Sequence, residues 1–281
     1  MVVGSPPLAS VAAVAEHYDQ LDPFYRRVWG DHLHHGLWLT GRESKDEAVL
    51  ALCRLVLSKA ALEPNASVCD VGCGYGALAR IMARECGARV TGFTVSEAQW
   101  RYARDRSGGD PRQTFVLADW LENGLPDGSF DCVVAVESSE HFADKGKFCA
   151  EAYRVLRPGG RFVVTAWLSR QNPGTMESRC LLRPICTEGR LPSLLSASEY
   201  LDLFCRAGFH APQFEDLSAG VRKTWGVSLR GLAAAILTDP ALLARLFERN
   251  FRNRVFAVTM VRLWLAYRLG TVRYGIFWQK K

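Results

Sequence analysis

The stretch ASVCDVGCGYGA, residues 66–77, decides the fold. Its first half is a short apolar run suited to a buried strand. Its second half places Gly72, Gly74 and Gly76 at alternate positions, just before the helically spaced ALARIMAREC (77–86). Glycines without Cβ atoms allow a tight strand-to-helix turn and a close approach of backbone to a ligand. Working outward, the pattern repeats. ARVTGFTV (88–95) reads as a second strand, and SEAQWRYARDR (96–106) as a helix with Ser96 as its N-cap. TFVLAD (114–119) and FDCVVAVES (130–138) read as the third and fourth strands. DKGKFCAEAYRVL (144–156) is a helix stopped by Pro158-Gly159-Gly160, and GRFVVTAW (160–167) is a fifth strand. Apolar strands alternating with helices predict a parallel sheet covered on both faces.

The flanks differ. Residues 1–60 read as mainly helical, a lid segment ahead of a core spanning 61–168. In the remainder, 169–281, ASEYLDLFCRAGF (197–209) reads as a helix and HAPQFEDL as a sixth strand. VRYGIFWQ (272–279) alternates as a last strand. The helical residues between those strands, about 217–271, are expected to cover the carboxyl ends of the sheet, where open α/β sheets bind ligands.

Bulk properties exclude several classes. Hydrophobic residues make up 48% and charged residues 23% of the 281, an ordinary soluble composition. The net charge of +6 is compatible with an acidic ligand or an anionic surface but is not clustered as nucleic-acid binding requires. Nine cysteines without a CxxC pair favour a reducing interior. Neither a signal peptide nor a spanning segment is apparent, so a soluble cytoplasmic protein is expected. In the late insertion, Arg245, Arg249 and Arg252 with Leu242, Leu246 and Phe247 suit an interfacial helix. A lid packed on the protein itself is the preferred reading of that insertion.

The glycine loop alone also fits the dinucleotide pattern GxGxxG/A. That reading calls for an acid at the tip of the second strand, where this chain has GFTVSEAQ (92–99). Asp70, directly before the first glycine, suits a cationic amino group better than a phosphate. The ligand suggested is S-adenosylmethionine (SAM), which carries an ammonium and a sulfonium but no phosphate.

With LADW (117–120), PDGSFDCV (126–133) and LRPGG (156–160), the loop resembles class I SAM-dependent methyltransferases. The finer resemblance is to tocopherol methyltransferases and the related sterol C-methyltransferases. It is carried by YDQLDPFYRRVWGDHLHHGLW (18–38), GFTVSEAQ, VESSEHFADKGKF (136–148), LPSLLSASEY (191–200) and VRYGIFWQKK. The resemblance implies a Rossmann-like, mostly parallel seven-stranded sheet with an antiparallel last strand, N-terminal helices and a helical lid inserted before that strand. It implies that Asp70, Gly72, Cys73, Gly74 and Gly76 hold the methionyl part of SAM. Thr94, Val95 and Gln99 face the ribose, Ala118, Asp119 and Trp120 surround the adenine, and backbone near Glu137 lies close to the sulfonium.

Methyl transfer needs alignment and exclusion of water rather than a protein nucleophile or a metal. A hydroxyl or amine acceptor also gains from proton removal. His141 is the candidate base, oriented by Asp144, and Glu140 is the rival. Tyr18, Tyr25, Trp38 and Trp225 are expected to wall an apolar acceptor pocket. HLHHG (32–36) falls in the lid segment, where His34 and His35 are expected at the substrate and His32 as structural. No metal is expected there, because no carboxylate or cysteine pair is placed in the sequence to complete a zinc set. The expected activity is methylation of a hydrophobic small molecule, with ring C-methylation of a tocopherol-like quinol first. O- or N-methylation of a natural product such as an alkaloid is the alternative, and a hydride-transferring dehydrogenase or a non-catalytic SAM-binding protein are the rivals from other classes.

Overall fold

The computed structural model describes residues 3–4, 10–238 and 256–281. Seven strands form one sheet: β1 (Ser67–Val71), β2 (Arg89–Thr94), β3 (Gln113–Leu117), β4 (Phe130–Val136), β5 (Leu156–Ser169), β6 (His210–Asp216) and β7 (Val272–Lys280). Their spatial order is β3-β2-β1-β4-β5-β7-β6. The first five are parallel, and β7 runs antiparallel between β5 and β6.

The apolar strands bury both faces. Val68, Val90, Val134 and Val163 point to one face, where α2 (Lys45–Ala60) and α3 (Ala77–Cys86) supply Leu52, Val56, Leu78 and Met82. Cys69, Phe93, Val133 and Phe162 point to the other, under α5 (Lys145–Val155) and α6 (Ala197–Ala207), with Phe148, Tyr200 and Phe204. This two-sided covering is why the strands read as continuous apolar runs rather than alternating ones. Ser96 caps α4 (Glu97–Ser107), its side chain accepting from the Gln99 amide. The Pro-Gly-Gly that ends α5 lies inside β5, which is longer than its sequence pattern suggests. A register shift between Phe130 and Cys132 absorbs the extra residues.

The chain order reverses between β1 and β4, so a crevice opens at their carboxyl ends. Gly72 permits this close approach. It has φ +75°, and a Cβ there would lie 2.3 Å from the Ser138 Cβ. The N-terminal helix α1 (Val11–Val28) closes over the crevice, tied down by two of its acids and by one just beyond its end. Asp19 accepts from the Ser96 hydroxyl at 2.5 Å, Asp22 from the Tyr75 hydroxyl at 2.6 Å, and Asp31 from Arg80 at 2.7 Å. The insertion between β6 and β7 contributes α7 (Lys223–Thr238) and α8 (Phe256–Leu269), which pack on each other, with α7 also against α1. No helix among the described residues is long and apolar enough to cross a membrane. The arginine cluster 245–254, which suits an interfacial helix but reads first as part of a lid, lies outside the described residues.

Candidate active site

Two adjoining cavities occupy the crevice, with volumes of about 170 and 100 Å³. Tyr18, Leu33, His34, Glu137 and His141 line both and form the wall between them.

The larger cavity gathers most of the residues expected at the cofactor. Asp70, Gly72, Cys73 and Gly74 come from the β1 loop, Thr94, Val95 and Gln99 from the β2 tip, and Ala118, Asp119 and Trp120 from the β3 tip. A single crevice collects them because consecutive parallel strands deliver their carboxyl ends to the same edge. Asp70 is 2% exposed, and its Oδ2 has no hydrogen-bond partner in the protein. Burial pushes its pKa up to about 7. A buried carboxylate oxygen without a donor is costly unless a ligand supplies one. Gly74, at φ +54°, has nothing within 4 Å of where a Cβ would stand. A bare backbone and an unpaired acid therefore face the same space, and they fit a ligand with a cationic amino group.

One feature there differs from expectation, and two others add detail to it. Gly76 lies outside the cavity; it caps α3 at φ +71° and makes room for Phe115, whose ring would meet a Cβ at 2.7 Å. Thr94 and Gln99 bond each other at 2.8 Å. Trp120 is a wall residue 1% exposed, packed edge-on against Phe93 with its indole N–H toward the Phe148 carbonyl at 3.4 Å.

The smaller cavity is lined by Tyr25, Trp29, Trp167, Ile185, Leu191, Trp225, Met260 and Leu263, together with four histidines, three glutamates and two threonines. Trp38 is a correction to the expected set. It lies outside both cavities, buried beside Gly36 and Ala48, its indole donating to the Glu43 carbonyl at 3.0 Å. Ile185, Glu188, Met260 and Leu263 carry no motif, and Leu191 only opens the quoted LPSLLSASEY, so the sequence alone offers no signal for their place in a cavity. Glu188 joins two of their segments by accepting from the Thr259 hydroxyl at 2.6 Å and from Arg262.

His141 stands on the dividing wall. Its Nε2 lies 2.8 Å from the Tyr18 hydroxyl and its Nδ1 3.3 Å from the Arg190 carbonyl. A carbonyl only accepts, so Nδ1 carries the proton and Nε2 accepts from Tyr18. Burial lowers the imidazole to about 4, which keeps it neutral at physiological pH. Asp144 does not orient it, another correction. Asp144 caps α5 instead, accepting from the Lys147 amide at 2.8 Å, as expected of an Asp at a helix start. Glu140 is a buried lining residue of the smaller cavity, its carboxylate accepting from the Trp167 amide, and burial raises it to about 7. Lys145 braces the same loop by donating to the Glu140 and Phe142 carbonyls at 3.1 and 2.9 Å.

Glu137 is the buried anchor of the wall. It has φ +52°, a left-handed conformation unusual for a residue with a Cβ. One oxygen accepts from the His35 amide and the Tyr274 hydroxyl, both at 2.7 Å. The other accepts from His35 Nδ1 at 2.9 Å and the Trp167 indole at 2.7 Å. Burial opposes the charge, but the neighbouring His35 and these donors outweigh it and hold the carboxyl at about 2. His35 is thereby fixed in the smaller cavity, ringed by Trp167, Trp225, Tyr267 and Tyr274 at centroid distances of 4.9–5.4 Å. His34 lies on the dividing wall, its Nδ1 2.8 Å from the His35 carbonyl.

Comparison with known proteins agrees with this architecture. The model of the mycolic acid cyclopropane synthetase family matches residues 8–251. The chain is 29% identical to a chloroplastic tocopherol O-methyltransferase of Arabidopsis thaliana over 94% of its own length and 80% of the relative's. It is 33% identical to a 27-O-demethylrifamycin SV methyltransferase of Amycolatopsis mediterranei over 75% of this chain and 79% of that one. Among solved structures, the [4+2]-cyclase SpnF superposes with TM-score 0.82 at 26% identity, covering 100% of this chain and 99% of its own. The mycolic acid cyclopropane synthase CmaA1, complexed with SAH and CTAB, superposes with TM-score 0.84 at 22% identity, covering 96% and 98%.

Proposed function

The chain belongs to the mycolic acid cyclopropane synthetase family, and on that premise we propose that it moves a methyl group from SAM to a hydroxyl-bearing hydrophobic small molecule. It is a SAM-dependent methyltransferase of the tocopherol and sterol C-methyltransferase branch, with SAM as its cofactor. The observation that carries the proposal is the pair of cavities divided by a wall bearing a neutral histidine.

In this reading Asp70 pairs with the cationic amino group of SAM, and the Gly72–Gly74 backbone lies along its methionyl arm. Thr94, Val95 and Gln99 border the ribose, and Ala118, Asp119 and Trp120 border the adenine. Bound SAM supplies a methyl carbon already activated by its sulfonium. The chain's own work is then alignment, dryness and proton removal. The aromatic lining of the smaller cavity takes an apolar ring and excludes water. Tyr25 and Trp225 flank it, and His35, held by Glu137, lines it. The acceptor's hydroxyl replaces the Tyr18 hydroxyl at His141 Nε2, which takes its proton. Such general-base assistance contributes typically about 10²- to 10⁴-fold. Glu140 lines the smaller cavity beside this wall and is the rival proton acceptor.

Removing a phenolic proton pushes electron density into an aromatic ring, so the first acceptor is a tocopherol-like quinol methylated on a ring carbon. A second reading, O-methylation of a polyketide-type natural product, is favoured by the 33% identity to the rifamycin enzyme. The deciding experiment is SAM turnover against quinols, sterols, alkaloids and polyketides, with mass spectrometry of the products. A quinol methylated on carbon supports the first reading and a methyl ether the second. Turnover of none of them, with SAM unconsumed, overturns the proposal.

A further inference from the structure

His32, His34 and Cys53 meet beside the larger cavity, although the cysteine comes from the middle of α2 and the histidines from the extended segment before it. His32 Nδ1 is 3.1 Å from His34 Nε2, and the Cys53 sulfur is 3.5 Å from His34 Nε2 and 3.8 Å from His32 Nδ1. We propose that these three side chains bind one zinc-class transition-metal ion through two imidazole nitrogens and a thiolate.

The triangle has the right size. A tetrahedral zinc bound at about 2.0–2.1 Å to nitrogen and about 2.3 Å to sulfur separates two nitrogens by about 3.3 Å and nitrogen from sulfur by about 3.6 Å. Each observed edge lies within about 0.3 Å of those values. The protonation pattern agrees. His34 Nδ1 donates to the His35 carbonyl at 2.8 Å, so the lone pair of the neutral ring is on Nε2, inside the triangle. That is the arrangement in which a backbone carbonyl orients a metal-bound histidine. Without an ion, the His32 N–H and the Cys53 S–H compete for that single lone pair. With one, all three atoms are used at once, and the thiol proton is released to solvent.

The donor set also selects the ion. Two imidazoles and a thiolate suit zinc or cobalt, and the absence of oxygen ligands within the trio disfavours magnesium and calcium. His32 is half-buried and lines the larger cavity with His34, so an ion has a route in, and a water completes the fourth position. Cys53 is 2% exposed and closes the site from behind. Bound metal pins the segment carrying His34 and His35 to α2 and so braces the wall between the cavities. In the sequence no carboxylate or cysteine pair stands near these histidines to complete a zinc set; the fold brings up one cysteine, 19 residues beyond His34.

The test uses the full chain, stripped with chelator and titrated with cobalt(II) chloride and then zinc chloride. One equivalent of cobalt is expected to give a thiolate-to-metal charge-transfer band and the intense visible bands of four-coordinate cobalt, with zinc displacing both. Cys53→Ser is expected to lose the charge-transfer band, and His32→Gln to weaken cobalt binding at least tenfold. Zinc is expected to raise the melting temperature of the wild type only. No band in the wild type, or bands unchanged in both variants because another cysteine binds, overturns the proposal. Should Cys53→Ser fail to fold by circular dichroism, His32→Gln decides alone. His32 is partly exposed, and a folded His32→Gln chain that binds cobalt like the wild type refutes the site.

Discussion

The two cavities are built in opposite ways. The larger has a floor of strand tips and one glycine turn, each contiguous in the chain, roofed by Val11, Val14 and Tyr18 of α1 and by the segment 31–34. The smaller is assembled from five separated places: the N-terminal segment 17–35, the loop after β4, Trp167 on β5, residues 185–191, and the insertion before β7. The first kind of site depends on the parallel sheet, and its chemistry is shared across a family. The second depends on how lids happen to pack, and it is where relatives with different acceptors are free to differ.

If the division is sound, substitutions on one side should leave the other side's binding intact. The largest effect belongs to the dividing wall. His141→Ala is expected to lower turnover about 10²- to 10⁴-fold while SAM affinity changes little; steady-state kinetics beside calorimetry check this, and unchanged turnover removes His141 as the base. Asp70→Asn comes next. It is expected to weaken S-adenosylhomocysteine binding roughly 100-fold, the scale for losing a buried charged partner, with acceptor KM measured at saturating SAM unchanged. The same acid predicts a pH dependence. Its carboxyl sits at about 7 in the free protein and must be ionised to meet a cation, so affinity should fall about tenfold per pH unit below that value.

On the other side, Trp225→Ala is expected to raise the acceptor KM by about tenfold, roughly the loss of 1.4 kcal/mol of packing on the ring. Glu137 tests the wall as structure. Its pKa is lowered to about 2, so its contribution is fully present above the ordinary glutamate pKa and disappears as pH falls from about 4 toward 2. The amount is on the order of 3 kcal/mol, and Glu137→Gln should flatten that part of an acid-unfolding curve. The smallest effect is at Trp38, which touches neither cavity. Trp38→Phe is expected to leave both SAM affinity and acceptor KM within about twofold, since such a substitution away from the site acts on packing alone.

The same contrast explains what could be read from the amino acids. The strand–helix alternation from residue 66 to 169 and the last strand at 272–280 were legible because periodicity and glycine punctuation are local signals. So were the cavity positions of Asp70, Asp119 and His141, since motif and strand tip coincide. Trp38 was misjudged because an aromatic residue looks the same in a core as in a pocket. Asp144 was misjudged because a helix cap and an orienting acid share the same residue type. Leu191, Met260 and Cys53 were invisible in their roles, since only tertiary packing brings 53 to 34 or 260 to 35. The acids Asp19, Asp22 and Asp31 carry no such signal in the sequence, yet they fasten α1 and the segment after it to the core.

The most direct test is a calorimetric titration with S-adenosylhomocysteine of the wild type, Asp70→Asn and Trp225→Ala at pH 8. The account predicts tight binding to the wild type and to Trp225→Ala, roughly 100-fold weaker binding to Asp70→Asn, and no heat with NAD. Binding of NAD in place of S-adenosylhomocysteine, or equal losses in the two variants, would contradict the division of the site into a cofactor cavity and an acceptor cavity.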